Sequence, residues 1–268
     1  MDPDAPPTSK RRLTLAKWFD TYWRTGGFPE VLDVPDSIRV MTHQEYLHAI
    51  LYRDVVERHD IAHPRAVADL AAWLIDNTAS TCTINSLTGY LSSLGHKMPK
   101  PVVGNLLEWF EDAYFLFITR VFDASLARSN TNPKKIYCID HALVRSVSSG
   151  VLVNDGHLLE NIVFLALRRK HAKIFYYKSK NGREVDFTIH GNKGVELTQV
   201  CDSLTHPATR ERELKSLTEA MMETGTKTAT IITRSEEGVE QTQAGTILIQ
   251  PAWHWLLECE NYGHVKTR

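Results

Sequence analysis

Glu160 interrupts the apolar run HLLENIVFLALRRK, Asp186 interrupts the alternating stretch REVDFTIH, and Gln199 and Cys201 follow in GVELTQVC. A carboxylate inside either of the first two segments is costly unless it is paired with a cation or holds a metal. Metal-assisted cleavage of a phosphodiester uses two or three carboxylates to hold Mg²⁺, a hard cation that prefers oxygen ligands. It commonly adds a lysine that stabilises the attacking water or the developing charge. A helix bearing Glu, a strand bearing Asp and a strand bearing Glu-x-Lys would bring these groups to one edge of a small sheet. Here the third part reads Gln199-Val200-Cys201. A glutamine carbonyl can ligate Mg²⁺ without contributing charge, and a thiol is not a permanent cation. The candidate metal ligands are therefore Glu160, Asp186 and Gln199, and the missing ammonium would come from Lys178 or Lys180 on the neighbouring hairpin. Lys180 is taken as the fourth catalytic candidate.

Two-residue alternation puts Val185, Phe187 and Ile189 on one face and Glu184, Asp186 and Thr188 on the other. In the next segment it groups Leu197, Gln199 and Cys201 opposite Glu196, Thr198 and Val200, so Glu196 points away from Gln199 unless a bulge intervenes. A reading without a metal explains the same carboxylates as structural ion pairs. Glu160 would pair with Arg168 or Arg169, and Asp186 with Arg183 or Arg210.

The elements that must position these residues are legible from periodicity and punctuation. MDPDAPPTSKRR (1–12) is polar and proline-rich and reads as a disordered tail. A helix is expected from about Leu13 to Arg24, stopped by Gly26, Gly27 and Pro29. Ser37 to His59 reads as a long amphipathic helix carrying Val40, Leu47, Ile50, Leu51 and Val55, and a further helix follows Pro64 with Val67, Leu70, Leu74 and Ile75. Residues 83–117 read as helix-turn-helix, with a short helix ended by Gly95 and a second striped by Val102, Val103, Leu106, Leu107, Phe110 and Tyr114. FLFITRVF and KKIYCID would pair as a wing across the loop SLARSNTNP, or equally as an ordinary hairpin on a helical subdomain. The second helix offers only Lys100 to a base edge and carries Glu108, Glu111 and Asp112, which is poor chemistry for groove reading.

From about Gly150 the pattern turns α/β: an apolar helix, KIFYYK as a strand, Asn181-Gly182 as a hairpin turn, and two further strands. The charged helix PATRERELKSLTEAMMETG follows, then the buried strands TATIIT and TILIQP and the closing AWHWLLE. Net charge of −1, with 43% hydrophobic and 24% charged residues, gives no global attraction to nucleic acid or membrane, so such binding would need a local patch. Four scattered cysteines lack metal-ligand spacing and suit a reducing cytosol. No stretch is apolar enough for a signal peptide or a membrane span, which places the chain in the cytoplasm. The phosphate-loop and dinucleotide glycine patterns are both absent, so no nucleotide site is expected.

GGFPEV (26–31), YRDVVERHDI (52–61), KKIYCIDHAL (134–143), LLENIVFLALRR (158–169), REVDF (183–187), QVCDSLTHPATREREL (199–214) and IQPAWHWLLE (249–258) occur in a fixed order. Together they resemble the C-terminal two-thirds of a large group of bacterial and archaeal AAA-type ATP-binding proteins, in which the ATPase module precedes a domain of unknown function. The resemblance implies an α+β fold: a helical, winged-helix-like domain followed by a restriction-endonuclease-like, PD-(D/E)XK domain with a small mixed sheet. It implies a remnant of the ATPase lid or linker at 13–32, the helical domain at 33–149 and the nuclease-like domain at 150–268. In that fold Glu160, Asp186 and Gln199 match the metal-binding positions and Cys201 the lysine position. Many relatives have E-V-K there, so Q-V-C departs from the nuclease pattern. The expected function is that of a truncated family member, without its ATP-binding module, that binds nucleic acid or a partner and carries a degenerate nuclease-like domain. The alternatives are an active Mg²⁺-dependent endonuclease of DNA or RNA and a module that docks on a separately encoded ATPase. Candidate partners are nucleic acid, such an ATPase or a second copy of the chain; no membrane is expected.

Overall fold

The computed structural model describes residues 9–123, 132–148, 154–191 and 194–261. Helix α1 (Ser9–Thr25) begins before Leu13, inside the expected tail, and buries Phe19 and Trp23. Helix α2 (Asp36–Ala49) continues without a break into a π-helical segment, Ile50–Glu57, that buries Leu51, Val55 and Val56. The long helix read from the sequence is thus present, but Val40 stays 37% exposed and its apolar face begins only near the π-helical turns. Helix α3 (Pro64–Asp76) buries Val67, Leu70, Leu74 and Ile75. Strand β1 (Thr81–Cys82), helix α4 (Ile84–Ser93) and helix α5 (Lys100–Asp112) follow. Thr83 and Ser86 form a reciprocal capping box at the start of α4, satisfying two otherwise orphaned N–H groups. Tyr114 does not extend the α5 stripe: it lies past the helix end at φ 54° and is exposed, and Phe115 enters the core in its place.

Strands β2 (Leu116–Val121) and β3 (Lys134–Cys138) pair antiparallel, as the alternation predicts. Most of the intervening loop lies outside the described residues. The hairpin does not stand apart as a wing, because β2 also pairs in parallel with β4 (Phe175–Lys178). With β5 (Glu184–Gly191), β6 (Gly194–Val200), β7 (Thr228–Thr233), β8 (Gly238–Thr242) and β9 (Gly245–Pro251), the result is one nine-stranded mixed sheet. Its order is β1-β3-β2-β4-β5-β6-β7-β9-β8. The fold is α+β, as expected, but the sheet is larger than the small one expected, because residues 81–138 contribute three of its strands.

Helices α6 (His141–Val147), α7 (Asp155–Arg168), α8 (Pro207–Thr224) and α9 (Ala252–Asn261) complete the described structure. One hydrophobic cluster runs from Phe19 in α1 through the helices and α7 to Ile232 and Ala252. A second lies between α8 and the sheet, built on Val185, Leu197, Leu217, Met221, Ile231 and Ile247. Among the described residues, no helix is long and apolar enough to cross a membrane.

The link between α1 and α6 depends on one carboxylate. Asp140 caps α6 by accepting from the N–H groups of Ala142 and Leu143, at 2.6 and 3.2 Å, and also accepts from Gly27 N–H at 2.6 Å. Gly26 adopts φ +79°, and a Cβ there would collide with the Asp140 carboxylate. Gly182 has a similar φ of +81° but open space around it. Gly182→Ala is therefore expected to cost about 1 kcal/mol, the left-handed penalty alone. Gly26→Ala should cost about 1–3 kcal/mol more, from the collision. Urea denaturation of the two variants checks this, and equal losses would show that the close approach to Asp140 does not matter.

Candidate functional site

The sheet is curled across its middle. Lys135 on β3 and Asp186 on β5 are separated by β2 and β4 in the strand order. In a flat sheet that is roughly 14 Å, at about 4.8 Å per strand. The Lys135 and Asp186 side chains reach across part of that backbone spacing, and bending of the sheet closes the rest, so that Lys135 Nζ donates to Asp186 Oδ1 at 2.9 Å. The curl is possible because β2 joins β4 through only two residue pairs, Arg120–Phe175 and Val121–Tyr176. Helix α7 fills the concavity, packing on both β3 and β6.

Asn161 locks α7 to β3. Strand β1 covers β3 only at Lys134 and Lys135, which leaves the edge at Cys138 open. The Asn161 side chain takes both free groups there, accepting from Cys138 N–H at 2.7 Å and donating to its carbonyl at 3.0 Å. One residue earlier, Glu160 points into the same space. Its Oε1 accepts from Lys135 Nζ at 3.0 Å and from the Tyr137 hydroxyl at 2.7 Å. Glu184 Oε1 lies 2.8 Å from the same ammonium. Three carboxylates therefore converge on one lysine, whose side chain is 4% exposed.

Asp186 breaks the alternation of its strand. Val185 packs in the α8-side cluster, whereas Phe187 and Ile189 pack in the α7-side cluster, so the expected shared face of Val185, Phe187 and Ile189 is not formed. The physical reason is local. Asp186 N–H donates to the Gln199 side-chain carbonyl at 3.1 Å, and its Oδ2 accepts from Val200 N–H at 2.9 Å. Side chains thus replace ladder bonds where β5 and β6 separate, while the β4–β5 register shifts alongside.

Gln199 sits beside the carboxylates but is fully engaged, since its amide also donates to Glu213 Oε2 on α8 at 2.8 Å. Arg212 Nε closes the chain by donating to Glu213 Oε1 at 3.0 Å near the surface. Cys201 lies in the α8-side cluster, donates to the Ser203 carbonyl and has its thiol pushed up to about 11 by burial. It is a neutral packing group.

The structure brings Glu160, Asp186 and Gln199 together, but the cation among them is Lys135, not Lys178 or Lys180. Both of those are exposed, and Lys180 N–H donates to Glu223, roughly 15 Å along α8 from the Gln199 contact at Glu213. Three of the four arginines expected as partners are engaged elsewhere. Arg168 lies over Phe117, Arg183 pairs with Glu219, and Arg210 pairs with Glu240. Sequence reasoning missed Lys135, Tyr137, Glu213 and Arg212. The available signal was a lysine and a tyrosine at alternate positions in the apolar strand KKIYC, where a buried charge already demands a partner.

Burial and the nearby Asp186 charge push the Glu160 carboxyl up to about 8, against the opposing pull of Lys135. Burial alone would lower the Lys135 ammonium, but Asp186, Glu160, Tyr137 and Glu184 outweigh it and hold it well above its ordinary value. Lys135 stays charged while Glu160 tends to keep a proton, so their contact is closer to a charge-assisted hydrogen bond than to a full ion pair. These residues do not fit Mg²⁺. Their oxygens are turned onto an ammonium, and a dication would have to sit against it. Among the described residues, no cluster of three histidine, cysteine or acidic side chains is arranged to hold a metal.

Residues 16–151 match the family model described as Domain of unknown function (DUF8612). The chain belongs to that family. Residues 155–254 match a second model, Domain of unknown function (DUF4143). An uncharacterized protein of Methanocaldococcus jannaschii is 35% identical over 92% of this chain and 57% of its own length. An uncharacterized protein of Haemophilus influenzae is 21% identical over 93% of this chain and 60% of its own length. The chain thus spans less than two thirds of either relative. No solved structure matches it.

Two outcomes follow from the cluster. Lys135→Met leaves buried carboxylates facing one another and is expected to cost about 3–5 kcal/mol. Adding Glu160→Gln should recover part of that loss, as read in a double-mutant cycle by chemical denaturation; strict additivity would show the groups to be uncoupled. Separately, Glu160 has a folded-state pKa above its unfolded value, so its stabilising contribution is present below about pH 4.3 and is lost as pH rises through about 8. Glu160→Gln removes that dependence and should flatten the stability profile between those limits, whereas an unchanged slope would place the proton elsewhere.

Proposed function

We propose that this chain binds a macromolecular partner and does not cleave it, through a nuclease-like domain whose carboxylate site is closed by its own lysine. The observation that carries this reading is the position of Lys135 Nζ, 2.8–3.0 Å from Glu160, Glu184 and Asp186. Catalysis by such a site needs a divalent ion held by those oxygens and a separate cation near the reacting phosphate. Here one internal ammonium occupies the carboxylates, and the position that the resemblance assigns to the lysine is taken by Cys201, a neutral thiol.

Descent from a PD-(D/E)XK nuclease is supported by the helix-strand-strand order of Glu160, Asp186 and Gln199 and by their convergence. The resemblance to the region following the ATPase module of AAA-type ATP-binding proteins supports a role beside such a module. The extra length of the curated relatives is consistent with it. On this reading the chain contacts nucleic acid or a separately encoded ATPase, and no cofactor takes part.

Purified protein incubated with Mg²⁺ or Mn²⁺ and mixed single- and double-stranded DNA and RNA is expected to leave the substrates intact. Asp186→Ala should be indistinguishable from the parent in that assay. Robust metal-dependent cleavage that Asp186→Ala abolishes would overturn the proposal and restore the endonuclease reading.

A further inference from the structure

Helix α1 concentrates positive charge in a chain that is otherwise balanced. Between Ser9 and Thr25 it carries Lys10, Arg11, Arg12, Lys17 and Arg24 against the single acid Asp20, while the whole chain has a net charge of −1. The two halves of the helix surface are used differently. Phe19 and Trp23 enter the core, and Arg12 is drawn to that side by Glu237 at 3.0 Å. Lys10, Thr14, Lys17, Thr21 and Arg24 recur at steps of four and three and form a single exposed stripe. At about 100° per residue the stripe lies diametrically opposite the buried face.

Among the described residues, the stripe presents cations and no carboxylate that neutralises them. The Thr14 and Thr21 hydroxyls are turned back onto the helix, donating to the Lys10 and Lys17 carbonyls at 3.0 and 3.1 Å. Asp20 is held off to the side by Arg234 at 3.1 Å. Among the described residues, Lys10, Lys17 and Arg24 have no carboxylate partner. Successive cations stand roughly 10 Å apart along the axis, and the flexible backbone of a single strand can adapt its phosphates to that spacing. On one flank Trp18 is 67% exposed, the side chain most able to stack on an unpaired base.

We infer that the outer face of α1 is a contact surface for single-stranded nucleic acid, with Lys10, Lys17 and Arg24 on the phosphates and Trp18 on a base. This rests on the reading of the chain as a binding protein and names where one partner lies. A bilayer is the poorer occupant. An interfacial helix needs an apolar face to insert, and that of α1 is already spent on the core; only Leu13 and Trp18 remain outside, on opposite flanks. A duplex leaves Trp18 nothing to stack on.

The experiment is fluorescence anisotropy of a labelled oligothymidylate over a KCl series. The full chain is compared with the triple variant Lys10→Gln/Lys17→Gln/Arg24→Gln and with Trp18→Ala, and circular dichroism and melting confirm that these exposed substitutions leave the fold intact. Binding should weaken with salt, and the triple variant should lower the log–log slope by about 2, at about 0.7 per lost phosphate contact. Trp18→Ala should weaken binding roughly tenfold with the slope unchanged. An oligonucleotide that does not bind, or that binds all variants equally, overturns the inference. So does tighter binding to phosphatidylserine vesicles or to a matched duplex, each measured as a competitor of the oligonucleotide. None of these results touches the closed carboxylate site, which stands or falls on metal binding and metal-dependent cleavage.

Discussion

An ammonium cannot be buried beside apolar strands unless opposing charge is brought to it, and carboxylates cannot be buried beside one another unless a cation separates them. Lys135, Glu160, Asp186 and Glu184 solve both problems at once, and much of the fold serves that solution. The sheet must curl for β3 to face β5, α7 must lie in the hollow so that Glu160 reaches in, and Asn161 must fasten α7 to the open edge of β3. Asp186 must leave the ladder, which it does by exchanging backbone pairing for Gln199 and Val200. Each of these is a local departure from regular structure, and together they bring three carboxyl groups within hydrogen-bonding distance of one ammonium.

The same arrangement bears on chemistry. The carboxylates are gathered around an ammonium, with Tyr137 donating to Glu160 from the side. The link from Asp186 through Gln199 and Glu213 to Arg212 ties the cluster to α8 and to the surface. On the proposed reading, what was a reaction centre has become a structural keystone of the domain, and contact with partners has passed to exposed faces such as that of α1.

Much of the fold was legible because it rests on local signals. Apolar periodicity located α3, α5 and α7, Gly95 marked the end of α4, Gly182 and Gly225 marked real turns with positive φ, alternation found β2 and β3, and short apolar runs found β7 and β9. Strands β1 and β8 escaped notice. The first is two residues long, and the second, GVEQT, has too few apolar positions to show a pattern. The site was half legible. Glu160, Asp186 and Gln199 betrayed themselves as polar residues in buried segments, but nothing local connects Lys135 to them. That contact depends on a curl between strands that are not neighbours, and on an irregularity at Asp186 that strict two-residue alternation forbids. Arg168, Arg169 and Arg183 were chosen because they are near the carboxylates in sequence; Lys135 is near them only in space.

The central claim is that the Lys135 ammonium occupies the carboxylates to the exclusion of a divalent cation. Mn²⁺ titrated into the protein and followed by electron paramagnetic resonance tests it directly, because bound and free Mn²⁺ give different signals. The account predicts that the spectrum stays that of the free ion, with no stoichiometric binding and no difference between the parent and Asp186→Asn. Stoichiometric Mn²⁺ binding that Asp186→Asn abolishes would contradict it.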